Sequence, residues 1–205
     1  MAAPIVPALP IFPLPDVVLL PGELLPLHVF EPRYRALVAA CLAEDRLIGI
    51  ATLRPGYERD DERRPAVWPE LGMGRIAQHR ALPDGRSNIL VAFVAAGLIE
   101  AEHPSIEPFR RVRFAPFESV EHGVEGVSRL RVLAVQALAR AGVEGADEAL
   151  RGSSEVWMDA LARMVLVTSA DRRAWLRARA HADRVVILEG ALVAMLARGV
   201  AATEA

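Results

Sequence analysis

Residues 72–94 read GMGRIAQHRALPDGRSNILVAFV, with two apolar runs on either side of the cluster Leu82-Pro83-Asp84-Gly85-Arg86. A Pro-Asp-Gly cluster favours a tight turn over a continuing helix or strand. Two strand-like runs joined by such a turn predict a β-hairpin. We place this hairpin in a β-rich first half, because most of the later sequence has the apolar spacing of helices.

Upstream of the hairpin, seven prolines lie between residues 4 and 26. Their spacing would suit a polyproline II ligand, but bulky apolar residues fill the gaps. We therefore expect an edge strand at Leu9–Phe12, because an edge strand tolerates proline. Further strands are predicted at Leu24–Phe30 and Leu47–Leu53.

A helix is expected to begin at Pro32, since proline suits the first helical position. Its apolar stripe consists of Tyr34, Leu37, Val38, Cys41 and Leu42. Cys41 lies on this stripe, so we interpret it as a small core residue and not as a nucleophile.

The longest polar interval of the first half, Arg54–Leu71, precedes the hairpin and includes the charge run Glu58–Arg64. A loop of this length inside a compact domain is either functional or disordered. Arg54, Tyr57 and Trp68 would suit a surface that binds a peptide or a protein partner, because interfaces are enriched in aromatic residues and arginine. The alternative is a mobile loop with Trp68 folded back on the core.

Beyond the hairpin, strands are predicted at Leu98–Glu102 and Arg110–Phe117. In the second of these, apolar residues alternate with arginines, which is typical of a strand with one solvated face. Contact of Arg110, Arg111 and Arg113 with phosphate is the alternative.

Near residues 121–126 the pattern changes, which predicts a β-domain at 1–120 and an α-helical bundle at 121–205. Four helices are expected, with short connections between them. The second has the apolar stripe Trp157, Leu161, Met164, Val165 and Thr168, the third begins at Asp171, and the last runs from about Asp183 to Gly199.

Composition and motifs exclude several kinds of chemistry. The net charge is −2, and all 24 basic residues are arginine, so a Schiff-base or phosphate-loop lysine and a Ser-Lys dyad are excluded. The single cysteine allows neither an intrachain disulfide nor a cysteine-based zinc cluster. Residues 72–77 fit G-x-G-x-x-A, but no helix is predicted to follow them. We therefore predict no catalytic residues, no metal site and no cofactor.

No secretory signal or membrane span is apparent, and the charge argues against general nucleic-acid binding. We expect a cytoplasmic protein.

Several stretches of the chain resemble a known family. Leu9–Gly22 is similar to the opening of the Lon protease N-terminal domain, and the following Leu25–Tyr34 resembles the free-standing bacterial members of that family. A second hallmark of the family resembles Gly72-x-Gly74-Arg75-Ile76 together with the turn Leu82–Arg86. The helical part of the family resembles Asp183–Leu192. The chain departs from the family pattern at Phe93, Ala95 and Ala96, where relatives commonly carry a glycine and then an arginine pair.

The resemblance implies an α+β fold, with a PUA-like mixed β-barrel domain followed by a C-terminal helical bundle. It implies a non-enzymatic module that binds unfolded or partner polypeptides and is linked to proteolysis or protein quality control. The alternative function is RNA binding, because PUA-like folds also serve that purpose.

Overall fold

In a computed structural model of the chain, the structure describes residues 4–57, 64–104, 106–120 and 123–203. The chain divides into two compact units, Met1–Glu118 and Ser119–Ala205. Within the described residues the first unit contains six strands and one helix: β1 (Val6–Leu14), β2 (Leu24–Val29), α1 (Pro32–Ala43), β3 (Leu47–Leu53), β4 (Val67–Ala81), β5 (Ser87–His103) and β6 (Arg110–Pro116). The chain therefore has a mixed α+β fold.

Strands β4 and β5 form the predicted hairpin. In its turn, Leu82 N–H donates to the Arg86 carbonyl oxygen over 2.8 Å, and Gly85 N–H donates to the Leu82 carbonyl oxygen over 3.0 Å. Gly85 has a φ of +81°, which a residue without a Cβ adopts easily. The prediction of a separate strand at Leu98–Glu102 was wrong, because β5 runs without interruption to His103 and this segment is its second half.

The strands follow the order β2-β5-β4-β3-β1-β6, and β5 also pairs with β6. One edge of β5 pairs with β4, while its other edge pairs first with β2 and then with β6. The pairings β1–β3–β4–β5–β6–β1 therefore form a closed circuit. Within the part of the chain that the structure describes, β2 pairs with this circuit through β5 alone.

The prediction that Leu9–Phe12 forms an edge strand was wrong. Strand β1 pairs with β6 up to Ile11 and, in parallel, with β3 from Ile11 to Leu14. Its prolines are tolerated because the two pairings are staggered along the strand. Among the described residues, Pro10 pairs with β6 and not with β3, and Pro13 pairs with β3 and not with β6, so each proline has one side without a strand partner there.

The glycines of the hairpin permit close backbone packing. A Cβ at Gly72 would collide with the Leu19 carbonyl oxygen, and a Cβ at Gly74 would collide with the Val91 side chain. Both glycines lie inside β4, so the G-x-G-x-x-A match opens no helix. Helix α1 places Tyr34, Leu37, Val38 and Cys41 in the adjoining core, as its stripe predicts.

The second unit is helical. Its described helices are α2 (Val127–Arg140), α3 (Ala146–Ala149), α4 (Ser154–Val165), α5 (Ser169–Arg177) and α6 (His181–Thr203). The short helix α3 was not predicted. Among the described residues, none of the helices combines the length and apolar composition that crossing a bilayer requires.

Two details of the predicted helical stripes were wrong. Met164 is 52% exposed and lies outside the apolar face of α4. Thr168 belongs to the start of α5, where its Oγ1 accepts a hydrogen bond from the Asp171 N–H over 3.1 Å and caps the helix. The predicted end of the last helix at Gly199 was also wrong, since α6 continues to Thr203.

Candidate functional site

A groove of about 910 Å³ opens on the first unit. It lies where the end of β1, the end of β2 and the start of α1 meet, and Tyr57, Arg64 and the segment 107–110 complete its walls. Its volume lies within the range typical of ligand sites in proteins, which is about 300–1,000 Å³. These elements are distant in the sequence, so the strand pairing of the fold creates the groove.

The wall formed by β1 and α1 is aromatic. The rings of Phe12 and Tyr34 meet edge to face, with 4.1 Å between their centroids and an interplanar angle of 81°. Both are nearly buried, as is Phe109. Burial raises the pKa of the Tyr34 hydroxyl, and the Arg33 guanidinium, 4.5 Å from the ring centroid, partly offsets this. The wall thus offers apolar ring surface held by close packing.

At the mouth of the groove, Phe30 is 59% exposed. Its ring stacks on that of His28 with 6.1 Å between the centroids, and His28 Nδ1 lies 2.7 Å from the Asn88 Oδ1. Exposed aromatic rings that are already held in place lose little conformational entropy on binding, so they make effective contacts with partners. Phe30 was not among the binding residues predicted from the sequence. The one local feature that could have pointed to it is its position directly before the Glu31-Pro32 start of α1.

The arginines of β6 are engaged in ion pairs. Arg110 binds the Glu102 carboxylate through Nε at 2.9 Å and Nη2 at 2.7 Å, and Arg113 Nε lies 2.7 Å from Glu100 Oε2. Arg111 contacts Glu107 and Glu44, and these hydrogen bonds raise its pKa. The positive charge that would attract a phosphate is therefore balanced by local carboxylates.

The structure brings together two of the three predicted binding residues. Arg54 places its guanidinium 4.8 Å from the ring centroid of Trp68 and donates from Nε to the Val67 carbonyl oxygen over 3.1 Å. Strand β4 begins at Val67, so the loop is shorter than the predicted interval Arg54–Leu71. Trp68 therefore lies on β4, where it is half-buried. Tyr57 instead lines the groove.

Of the predicted charge run Glu58–Arg64, residues 58–63 lie outside the described residues. No group of three or more His, Cys, Asp or Glu side chains arranged to hold a metal ion occurs in the part of the chain that the structure describes.

Cys41 has the environment of a core residue. It is 1% exposed on the inner face of α1, and burial raises the pKa of its thiol to about 12. The thiolate is the reactive form of cysteine, so this thiol is unreactive at neutral pH. The interpretation of Cys41 as a small core residue is confirmed.

A match to a family model identifies the family of this sequence. The model of the ATP-dependent protease La (LON) substrate-binding domain matches residues 8–183. The chain belongs to this family. The resemblance seen in the sequence is thereby confirmed. The Lon protease of Geobacter metallireducens (strain ATCC 53774 / DSM 7210 / GS-15) is 36% identical over 121 residues, which cover 55% of this chain and 14% of that protein.

Solved structures of Lon N-terminal domains share the fold. The N-terminal domain of a Mycobacterium avium complex Lon protease superimposes with a TM-score of 0.72 at 17% identity, over 91% of this chain and 98% of that one. A Lon N-terminal domain protein from Xanthomonas campestris gives a TM-score of 0.64 at 22% identity, over 92% of this chain and 98% of that one. The chain thus corresponds to about one seventh of the curated Lon protease and to nearly all of the two solved domains.

Proposed function

We propose that this chain is a non-catalytic module that binds unfolded polypeptide segments through the groove of its first unit. Membership of a substrate-binding domain family supports a polypeptide as the partner. The observation that carries the proposal is the exposed Phe30 ring at the mouth of an aromatic-walled groove. Unfolded polypeptides expose the apolar side chains that such a surface buries, and burial of apolar area drives association.

A PUA-like mixed β-barrel at residues 1–120 and a helical bundle at 121–205 are part of the same proposal. The closed circuit of strand pairings supports the barrel. The division of the chain at residues 118 and 119 supports the domain boundary. A role in proteolysis would then be the delivery of bound polypeptide in the cytoplasm, with the peptidase on another chain or another domain.

Tyr57, Arg54 and Trp68 have different places in this proposal. Tyr57 lines the groove and would contact the bound segment directly. The Arg54–Trp68 stack lies on the neighbouring start of β4, outside the residues that line the groove. We propose it as an accessory contact for longer polypeptides, since both residue types are common in interfaces.

Binding of labelled, reduced and carboxymethylated lactalbumin, followed by fluorescence anisotropy, tests this function. Phe30 is 59% exposed, and complete burial of its ring by a bound segment would contribute about 1–2 kcal/mol to the binding free energy. Phe30→Ala is therefore expected to weaken binding about 5- to 30-fold. Tyr57→Ala should weaken it also. Ile5→Ala is the matched control, because Ile5 is 50% exposed and does not line the groove.

Absence of binding to the unfolded probe, or equal losses in Phe30→Ala and Ile5→Ala, would contradict the proposal. A single-stranded RNA of similar length serves as the alternative ligand. Binding to RNA that is stronger than binding to the polypeptide and falls steeply with salt would establish the RNA-binding alternative instead.

A further inference from the structure

Strand β2 has one edge that no strand among the described residues covers. The sheet order begins at β2, whose six residues pair only with β5. An edge of this kind presents N–H and C=O groups on which another chain can add a strand.

The pairing with β5 identifies the outward groups. Phe93 N–H donates to the Glu23 carbonyl oxygen over 3.1 Å, and the register continues from this pair, so residues 25, 27 and 29 direct their main-chain groups toward β5. In an antiparallel ladder the intervening residues direct theirs to the opposite side. Leu24, Pro26 and His28 therefore present two N–H groups and three carbonyl oxygens at the uncovered edge, and these have no main-chain partner in the described part of the chain.

The groove adjoins the end of this edge, at His28. Leu27, His28 and Phe30 line it from the β2 side, and the end of β1 lines it from the other. Strand β6 pairs with β1 only as far as Ile11, so the last residues of β1 have no strand on the side away from β3, within the described residues. An extended segment in the groove would thus continue the sheet from β2.

The charges around the groove define the segment further. Arg110 is bound by Glu102, and Glu107 by Arg111, so their charges are compensated at one end of the groove. Three other charged residues line the groove, and each has an opposite charge close by: Arg33 Nε lies 2.9 Å from Glu31 Oε2, and Arg64 Nη1 lies 3.9 Å from Glu102 Oε1. Most of the other lining residues are aromatic, aliphatic or proline. A segment whose groove-facing side chains are uncharged and apolar matches this surface, because a buried unpaired charge would be costly.

We infer that the uncovered edge of β2 binds one extended polypeptide segment by β-strand addition, with alternate apolar side chains of the segment entering the groove. The inference rests on the proposed polypeptide-binding function and specifies how the segment is held. Main-chain hydrogen bonds give affinity without a fixed sequence, and alternate side chains give selectivity. Pro26 contributes only an acceptor, so the segment must supply an N–H opposite it and cannot carry proline there.

A pair of variants at one position isolates the main-chain contribution. His28→Pro removes an outward N–H, and the neighbouring Pro26 shows that an outward position of β2 accommodates proline. His28→Ala removes the ring contacts with Phe30 and Asn88 but keeps the N–H. With the carboxymethylated lactalbumin probe, we expect His28→Pro to bind about 5- to 10-fold more weakly than His28→Ala, since one hydrogen bond is lost.

Amide hydrogen exchange on the unmodified protein gives a second readout that does not depend on a variant. Saturation with the same probe should slow exchange at the Leu24 and His28 amides at least about tenfold, since a strand added at this edge would protect them. Probe binding with unchanged exchange at both amides, or equal binding by His28→Pro and His28→Ala, would overturn the inference and leave the proposed function standing. Failure of the unmodified protein to bind the probe would overturn both.

Discussion

Replacing Asp159 by asparagine should destabilise the second unit strongly, because Asp159 compensates a buried arginine. Asp159 Oδ1 accepts from Arg184 Nη1 over 3.1 Å and from Trp175 Nε1 over 3.0 Å. The Arg184 guanidinium also lies 4.4 Å from the Trp175 ring centroid and donates from Nε to the Ala178 carbonyl oxygen. Burial lowers the pKa of Arg184, and the Asp159 carboxylate opposes that effect.

The size of the loss follows from the exposure of the two side chains. Breaking a buried ion pair typically costs about 3–5 kcal/mol. The Arg184 side chain is 5% exposed, but that of Asp159 is 22% exposed, so water recovers part of the cost. We expect Asp159→Asn to lower the free energy of unfolding by about 2–3 kcal/mol, while the asparagine oxygen still accepts from Trp175.

Urea unfolding followed by tryptophan fluorescence measures this loss. Trp157 and Trp175 both belong to the second unit, and a Trp68→Phe background removes the signal of the first. The matched control is Glu189→Gln, which breaks a two-bond contact to Arg129, whose side chain is 76% exposed. That variant should lose clearly less stability than Asp159→Asn, because an ion pair with a solvent-exposed arginine contributes little. Equal losses in the two variants would refute the reasoning that burial makes the Asp159–Arg184 pair important.

Three further outcomes are expected. Gly72→Ala should destabilise the protein by about 1–3 kcal/mol in thermal unfolding, because its Cβ would meet the Leu19 carbonyl oxygen. Gly190→Ala on α6 should stabilise it by about 0.5–1 kcal/mol, because a Cβ there would meet no described atom within 4 Å beyond its own stretch of helix. Cys41 should react with a thiol reagent at pH 8 only as fast as the chain unfolds, and immediate labelling would contradict its burial. Folding raises the pKa of the Cys41 thiol from about 9 to about 12. The contribution of this thiol to stability is therefore present below pH 9 and is lost as the pH rises toward 12. In urea titrations across that interval, a Cys41→Ala variant should lose less stability than the unmodified protein.

Local sequence patterns predicted the hairpin and α1, because both depend on contacts between residues close in sequence. The turn at Pro83-Asp84-Gly85 determines how β4 and β5 meet, and the stripe from Tyr34 to Cys41 determines which face of α1 is buried. The family was also recognisable from short stretches around these elements.

The place of β1 was not predictable in the same way. Its prolines indicated an edge strand, but the staggered pairing with β3 and β6 depends on strands about 40 and 100 residues away. Trp68 was assigned to a loop because it lies in the long polar interval Arg54–Leu71, yet the pairing of Val67 with Leu53 of β3 extends β4 back to Val67. In both cases nonlocal hydrogen bonds outweighed local propensity.

The groove was the hardest feature to predict. Phe30 was assigned to the end of a strand, and its place before the Glu31-Pro32 helix start does not show that it stays exposed in a groove that Phe12 and Tyr57 also line. Of the residues predicted for binding, Tyr57 lines the groove, whereas Arg54 and Trp68 contact each other beside it.

Mapping the binding surface by NMR tests most directly whether the groove binds polypeptide. Carboxymethylated lactalbumin would be added to the isotope-labelled 205-residue chain, and amide and aromatic shifts would be followed residue by residue. We predict that the largest changes occur at Leu27, Phe30 and Tyr57, with little change at Ile5 or in α6. Changes centred on the second unit, or no changes at saturating probe, would contradict the account.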